Sequence, residues 1–118
     1  MKTVLQIAFS PTLLPEREAT LEQNGYQVIS VLGLDDALCF DVRKSTIGVV
    51  VIGHGAPWLE REDLIRHFRE TLRGIPIIAL LRSTDNPFTG ADFNIRADNL
   101  PLWLRTFAEA QQRTDKPN

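Results

Sequence analysis

The sequence predicts an α/β fold, a three-layer α/β/α sandwich around a five-stranded parallel sheet, and three observations carry that expectation. Short apolar runs of strand length alternate with longer segments of helix length. The apolar runs are hydrophobic almost throughout, as strands covered on both faces must be. The chain has 118 residues with 43% hydrophobic content, enough for one core of ordinary domain size and too little for two. Residues 1–112 are therefore read as a single domain and 113–118 as a polar, frayed tail.

Val4 to Phe9 is the first strand, stopped by Ser10-Pro11. A helix over Leu13 to Asn24 follows, with Thr12 as its cap, Pro15 in the first turn where its missing N–H breaks no bond, and Gly25 past its end. Tyr26 to Val31 is the second strand. The next helix spans Asp35 to Lys44, with acids in its first turn, Arg43 and Lys44 in its last, and an apolar stripe of Leu34, Leu38 and Val42. Ile47 to Ile52 is β-branched and uncharged, which marks it as the central strand, and Gly53-His54-Gly55-Ala56-Pro57 breaks it. Glu60 to Leu72 is the third helix, with Leu64, Ile65, Phe68 and Leu72 on one face and Gly74 beyond its end. Ile75 to Leu81 is the fourth strand, with Pro76 confined to its start.

Arg82 to Gly90 has no apolar period and several turn formers, so it is expected to be a loop with at most one helical turn. A short strand at Asp92 to Arg96 and a helix at Leu100 to Gln112 complete the chain. Asp98 or Asn99 caps that helix, and Leu104, Phe107 and Ala108 form its inner face. Right-handed crossovers between five such strands give a flavodoxin-like sheet in the order 2-1-3-4-5, with function expected at the C-terminal strand ends.

The charge balance, 13 Lys and Arg against 15 Asp and Glu for a net −2, argues against a protein that binds nucleic acid by neutralising its phosphates. No apolar run approaches the roughly 18 residues of a membrane span, and the N-terminus lacks the apolar stretch of a signal peptide. A cytoplasmic protein with neither membrane nor nucleic-acid partner is expected. Cys39 is the single cysteine, so no internal disulfide forms, and it reads as a small buried hydrophobe. The distribution of the acids is less ordinary than their number. None lies between Met1 and Pro15 or between Val42 and Leu59, the stretches that hold the first and third strands.

Several short pieces occur in a telling order. They are Ser10-Pro11 with Leu13-Leu14 and Arg17 after the first strand, Leu21-Glu22-Gln23-Asn24-Gly25-Tyr26-Gln27-Val28 into the second, and Asp36-Ala37-Leu38 in the second helix. Pro57 after the third strand, Pro76-Ile77-Ile78-Ala79-Leu80 in the fourth and Gly90-Ala91-Asp92 before the fifth complete the set. Over residues 3 to 112 the layout resembles the receiver domain of bacterial response regulators, of the chemotaxis-regulator type.

The resemblance implies a chemistry of phosphoryl transfer to an aspartate. In that family an acidic pair after the first strand and the aspartate ending the third hold Mg²⁺, while a hydroxyl after the fourth and a lysine after the fifth hold the phosphoryl oxygens. Aligned on its own landmarks, this chain has Ala8-Phe9-Ser10 at the acidic pair, Gly53 at the phosphoacceptor, Leu81 at the hydroxyl and Ala97 or Arg96 at the lysine. Because the first and third strands lie in acid-free stretches, a shift of several residues restores no carboxylate. The expectation is a degenerate pseudo-receiver with no phosphoacceptor, no catalytic residue, a lost Mg²⁺ site and no other cofactor. Only Arg82 to Thr89 precede Gly90-Ala91, so the family's fourth helix, between strands four and five, is expected to be shortened or missing.

Two functions of different class follow. One is a stand-alone protein of two-component, phosphorelay signal transduction that acts in trans and without phosphorylation, by binding a protein partner or by forming a homodimer. With the fourth helix reduced, Phe88, Phe93 and Trp103 are its candidate interaction face, and Trp58 and Trp103 are each open to a core or an interface reading. The other is a small-ligand or anion sensor that uses a neutral-to-positive strand-end crevice of Ser10, Gly53, His54, Gly55 and Arg82. His54 itself reads either as a binding group or as a turn residue between glycines of positive φ, its imidazole bonded to a loop carbonyl.

An enzyme is not expected. The Gly53-His54-Gly55 turn is similar to the oxyanion loop of α/β-hydrolases, but no Gly-x-Ser-x-Gly elbow accompanies it. His67 in mid-helix and Cys39 make no metal-ligand spacing with His54. Arg66, Arg69 and Arg73, interleaved with Glu62, Asp63 and Glu70, read as a solvated helix face.

Overall fold

A computed structural model of the protein describes residues 3–115. The elements run β1 (Thr3–Ala8), α1 (Leu13–Gln23), β2 (Gln27–Leu32), α2 (Leu34–Cys39), a 3₁₀ turn (Val42–Lys44), β3 (Ile47–Ile52), α3 (Trp58–Thr71), β4 (Ile77–Leu81), β5 (Phe93–Arg96) and α4 (Leu100–Asp115). The strands form one parallel sheet in the order β2-β1-β3-β4-β5, as the alternation of elements predicts. No helix stands between β4 and β5. Among the described residues no helix is long and apolar enough to cross a membrane.

Side chains alternate along a strand, so the continuous apolar runs feed two cores, one on each face of the sheet. Leu5 and Ile7 of β1, Val50 and Ile52 of β3, and Ile77 and Ala79 of β4 pack against Leu64, Ile65 and Phe68 of α3. Val4, Val49, Val51, Ile78, Leu80 and Ile95 pack instead against Leu21 of α1 and Trp103, Phe107 and Ala110 of α4. Gln6 is buried on β1 and is tied down by polar contacts. Its Nε2 donates to Ser30 Oγ at 2.8 Å, and the Ser30 hydroxyl donates to Glu18 at 2.8 Å, which fastens α1 to the β1–β2 edge. Gly25 and Gly74 follow α1 and α3 with φ of 91° and 78°, a backbone region that side chains other than glycine disfavour.

Several local expectations are corrected. Thr12 has helical dihedrals and makes no side-chain cap bond; the Ser10 hydroxyl accepts from Leu13 N–H at 3.3 Å in its place. The second helix stops at Cys39, because Phe40 is extended, so Phe40 reaches the core from extended backbone and Val42 from the separate 3₁₀ turn. The stripe through Leu38 is thereby cut: Leu38 and Cys39 are exposed and Ala37 is the buried residue of that helix. On α4 the inner face is Trp103, Phe107 and Ala110, while Ala108 is exposed. Asn99 caps that helix by accepting from Leu102 N–H at 3.2 Å. Of the expected tail, residues 113–115 continue the helix and 116–118 lie outside the described residues.

The segment that replaces a helix is fixed from α3. Both terminal nitrogens of Arg61 donate at 2.9 Å to the Asp85 carboxylate, and the two side chains are 0% and 6% exposed. The Trp58 ring stacks on Phe88 at 4.8 Å, and its Nε1 donates to Asn86 O at 3.0 Å. Asn94 of β5 closes the loop from the other side, accepting from Phe88 N–H at 2.8 Å and donating to Phe88 O at 3.0 Å. Arg69 donates to Gly90 O and to Asp92, whose carboxylate also accepts from Ile77 N–H. It is thus a clamp on the loop and not part of a solvated face, whereas Arg66 makes only exposed pairs with Glu62 and Asp63.

Asp85→Ala strands a buried guanidinium and is expected to cost about 3–5 kcal/mol in urea unfolding, while the joint replacement Arg61→Met with Asp85→Leu recovers much of that loss. The hydrogen bonds from Arg61 hold the Asp85 carboxyl well below the usual carboxylate range. This stabilisation is complete above an unfolded-state pKa of about 4 and is lost as pH falls through the lower folded value. Acid titration of stability is expected to show that loss in the parent protein and not in Asp85→Ala.

Candidate functional site

The parallel sheet brings the C-terminal ends of β1 and β3 together, and Gly53 N–H donates to Ile7 O at 2.9 Å to hold the chain against β1 as it leaves β3. A side chain at Gly53 has almost no room. A Cβ there would lie 3.0 Å from Arg17 Nη1 and 3.1 Å from Ile7 O, and one at Gly55 would lie 3.0 Å from Phe9 Cβ. Neither glycine has positive φ. The expectation that backbone conformation requires them is corrected: close approach of β1 and of Arg17 requires them.

The sequence offers Arg17 as a helix residue and as one of the pieces of the resemblance, with no binding role, and the structure makes it the centre of the site. It is half-buried, its guanidinium lies 5.5 Å from the Trp103 ring centroid, and among the described residues it makes no hydrogen bond and no ion pair. Burial pulls its pKa below the ordinary arginine value, with Glu16 opposing. The only sequence signal for this placement is indirect: an arginine one turn into α1 beside strand ends that carry no acid.

His54 sits at the junction of two adjoining clefts. The first, about 320 Å³, is lined by Leu13, Glu16, Arg17, His54, Asp98 and Trp103 among others. The second, about 370 Å³, includes His54, Arg82, Thr84, Arg96 and Asp98. Burial lowers the His54 pKa first, then the positive fields of Arg17, Arg82 and Arg61, with Asp85 opposing. Among the described residues the imidazole makes no hydrogen bond, so the expected bond to a loop carbonyl is absent.

Of the predicted crevice, the structure therefore brings His54 and Arg82 to one cleft and places Gly53 behind Arg17. Ser10 and Gly55 line neither cleft, Ser10 being committed to capping α1. The predicted interaction face does not exist as a surface. Phe88 and Trp103 are 2% and 4% exposed and lie in the two different cores, with Phe93 half-buried beside Trp103's core. Phe88 is drawn inward by Trp58 and by Arg61, whose guanidinium lies 5.2 Å from its centroid; Trp103 packs α4 on the sheet with Phe107. Among the described residues, Leu32, Leu38, Leu59 and Leu100 are the large apolar side chains that remain exposed.

The positions that a receiver would use for Mg²⁺ hold Ala8, Phe9, Ser10 and Gly53, with a guanidinium beside Gly53. This donor set does not fit a hard divalent cation, which takes several oxygen ligands. Among the described residues no group of three or more His, Cys, Asp and Glu is placed to hold a metal ion.

No family model and no curated protein matches the sequence. Solved structures do match, and they show the fold. A response regulator receiver domain protein from Clostridium thermocellum is 21% identical with a TM-score of 0.84, covering 96% of each chain. The signal receiver domain of a histidine kinase from Syntrophus aciditrophicus is 19% identical with a TM-score of 0.82, over 100% of this chain and 96% of that one. The response regulator protein TrrA from Thermotoga maritima, solved in complex with Mg²⁺ and beryllofluoride, is 17% identical with a TM-score of 0.79, over 93% of this chain and 99% of its own. TrrA has also been solved in complex with the histidine kinase ThkA. The chain thus has the fold of response-regulator receiver domains.

Gly53→Ala is expected to lower stability by about 1–3 kcal/mol in thermal or urea unfolding, because the Ile7 carbonyl is held in the sheet and cannot retreat. Adding Arg17→Ala should recover only the share owed to the guanidinium. The depressed His54 pKa means that its neutral form favours folding. That contribution is present above the ordinary value of 6.5 and is lost as pH falls through the lower folded pKa. Proton NMR titration should find His54 below 6.5 and moving upward toward it in Arg17→Gln.

Proposed function

We propose that this protein is a receiver-fold signalling module of a bacterial two-component pathway that works in the cytoplasm without aspartyl phosphorylation, through contact with a protein partner. It is neither an enzyme nor a Mg²⁺-dependent protein in this reading. One observation carries the proposal: Gly53 stands at the acceptor position with the Arg17 guanidinium beside it, and no acid lies at the ends of β1 or β3. Phosphorylation of an aspartate requires the carboxylate itself and a cation to neutralise the incoming phosphoryl group, held by further carboxylates. The chain offers none of these at the strand ends.

The loop supports the same reading. A phosphorylation-driven switch needs an element with two arrangements of similar free energy. Here the hydroxyl position is Leu81, which is buried, and the segment after it is held by Arg61, Trp58, Asn94 and Arg69. Such a surface presents one shape continuously. The complex of TrrA with ThkA illustrates a receiver fold docking on a kinase, and a partner of that kind, or a second copy of this chain, is the proposed contact. The exposed Leu32, Leu38, Leu59 and Leu100 are the apolar groups available to it.

The test is a titration with Mg²⁺ and beryllofluoride, followed by Trp58 and Trp103 fluorescence and by amide NMR, together with mass spectrometry after incubation with acetyl phosphate. No saturable change at residues 8–10 and 53–55 and no added phosphoryl mass are expected. Saturable shifts at those residues, or a phosphorylated aspartate, would overturn the proposal.

A further inference from the structure

The strand-end site holds more positive charge than the protein neutralises. Arg17 is half-buried and has no carboxylate partner among the described residues. A cation removed from water without a counter-charge is costly, and an anion placed against it relieves that cost. Arg61 and Arg82 share the single carboxylate of Asp85, so that pairing also leaves positive charge over. Arg96 is matched by Asp98 at 3.0 Å, and Glu16 is the remaining acid on the wall of the 320 Å³ cleft. Trp103, 4% exposed and on the wall of the same 320 Å³ cleft, has a buried Nε1 donor with no acceptor. The unpaired fork of donors on Arg17 and the clefts that meet at His54 are the makings of an anion site.

We propose that the cleft of Arg17, His54 and Trp103 binds a small tetrahedral oxyanion, inorganic phosphate or the phosphoryl end of a monoester, with Arg17 as its principal ligand, His54 beside it, and Arg82 adding positive charge from the adjoining cleft that His54 shares. A guanidinium suits this ligand because its parallel N–H groups meet two oxygens at once. The fold's strand-end pocket has thus reversed its charge, from carboxylates around a cation to cations around an anion. Binding makes and breaks no covalent bond. The inference goes beyond the partner-binding reading and does not rest on it, since a protein that docks a partner and ignores phosphate leaves that reading intact.

The anion also changes the field at His54. The charged groups around the imidazole are Glu16 and Arg17 from α1, Arg61 from α3, Arg82 and Asp85 from the β4–β5 loop, and Arg96 and Asp98 from the end of β5 and the turn after it. A bound oxyanion offsets the three arginines that disfavour the imidazolium, so the His54 pKa rises on binding.

The full chain is titrated in parallel with inorganic phosphate and with adenosine monophosphate, ionic strength being held constant with sodium chloride. Amide, indole and imidazole NMR shifts and the thermal midpoint are read. Saturable shifts at Arg17, His54, Arg82 and the Trp103 indole, a higher midpoint and an upward move of the His54 pKa are expected. Tighter binding of phosphate identifies the free ion as the ligand, and tighter binding of the nucleotide identifies the ester. Arg17→Gln should weaken binding by about tenfold or more, the loss of a charge-assisted bidentate contact, and Arg82→Gln should weaken it less. Arg17→Lys keeps the charge without the fork and serves if Arg17→Gln fails to fold; it too should bind more weakly. Absence of saturation with either ligand, unchanged affinity in the Arg17 variants, or a His54 pKa that stays fixed while ligand binds would overturn the proposal.

Discussion

Arg61 is fully buried on α3, and both of its terminal nitrogens donate at 2.9 Å to Asp85 in the β4–β5 loop. The rest of the loop and one whole side of the functional end depend on that pair. A crossover between parallel strands normally brings a helix whose apolar face covers the sheet. Here the connection is short and polar, and it covers β4 only because it is fastened. Asp85 is the anchor, since it accepts from Arg61 twice and from Arg82 N–H at 2.8 Å. With that turn fixed, Phe88 is delivered under the Trp58 ring and into the core of α3. Gly90 then approaches Ile65 so closely that a Cβ there would lie 3.1 Å from Ile65 Cγ2. A buried charge pair replaces the apolar stripe of a helix, and it demands geometry in return, because either partner alone is a stranded charge.

The pair also shapes the electrostatics next door. Asp85 is the acid whose field reaches His54, yet Arg61 and Arg82 both draw on it. That carboxylate is taken up in holding the loop, and Arg17 is left without an ion-pair partner among the described residues. Loop architecture and site charge are therefore one problem. The proposed partner-binding role draws on the rigidity, and the proposed oxyanion site draws on the surplus positive charge.

Much of this was legible in the sequence, and the pattern of what was not is physical. The strands and their order follow from apolar runs whose length and β-branching leave little choice, Ile47 to Ile52 above all, and the missing helix follows from counting Arg82 to Thr89. The acid-free stretches told where carboxylates were absent. They could not tell what had moved in, because Arg17 and Gly53 are 36 positions apart in the chain and meet only through the packing of α1 on β1. Cys39 and Leu38 were misplaced because a stripe at helical spacing presumes that the helix continues, and Phe40 turns the backbone out of it. Phe88, and Trp103 in its interface reading though not in its core one, were misplaced for the opposite reason. A missing helix suggests uncovered apolar surface, but polar residues of no obvious pattern, Arg61, Asp85 and Asn94, pull the loop into the gap and bury Phe88, while Trp103 needs no cover beyond its own helix face.

The reversal of charge at the strand ends is not one substitution away from the phosphorylatable arrangement. An aspartate at position 53 would begin with a Cβ 3.0 Å from a guanidinium and 3.1 Å from the Ile7 carbonyl, so its carboxylate would be engaged by Arg17 before any cation reached it. Acids at 8 and 9 would have to replace the fully buried Ala8 and the Phe9 side chain that packs against the core. The hydroxyl position, Leu81, is part of the core that α3 covers. Each position is now held by packing that a charged or polar side chain disrupts. Close contact between Gly53 and Arg17, and between Gly55 and Phe9, thus makes the absence of acids at these strand ends a matter of packing as well as of composition.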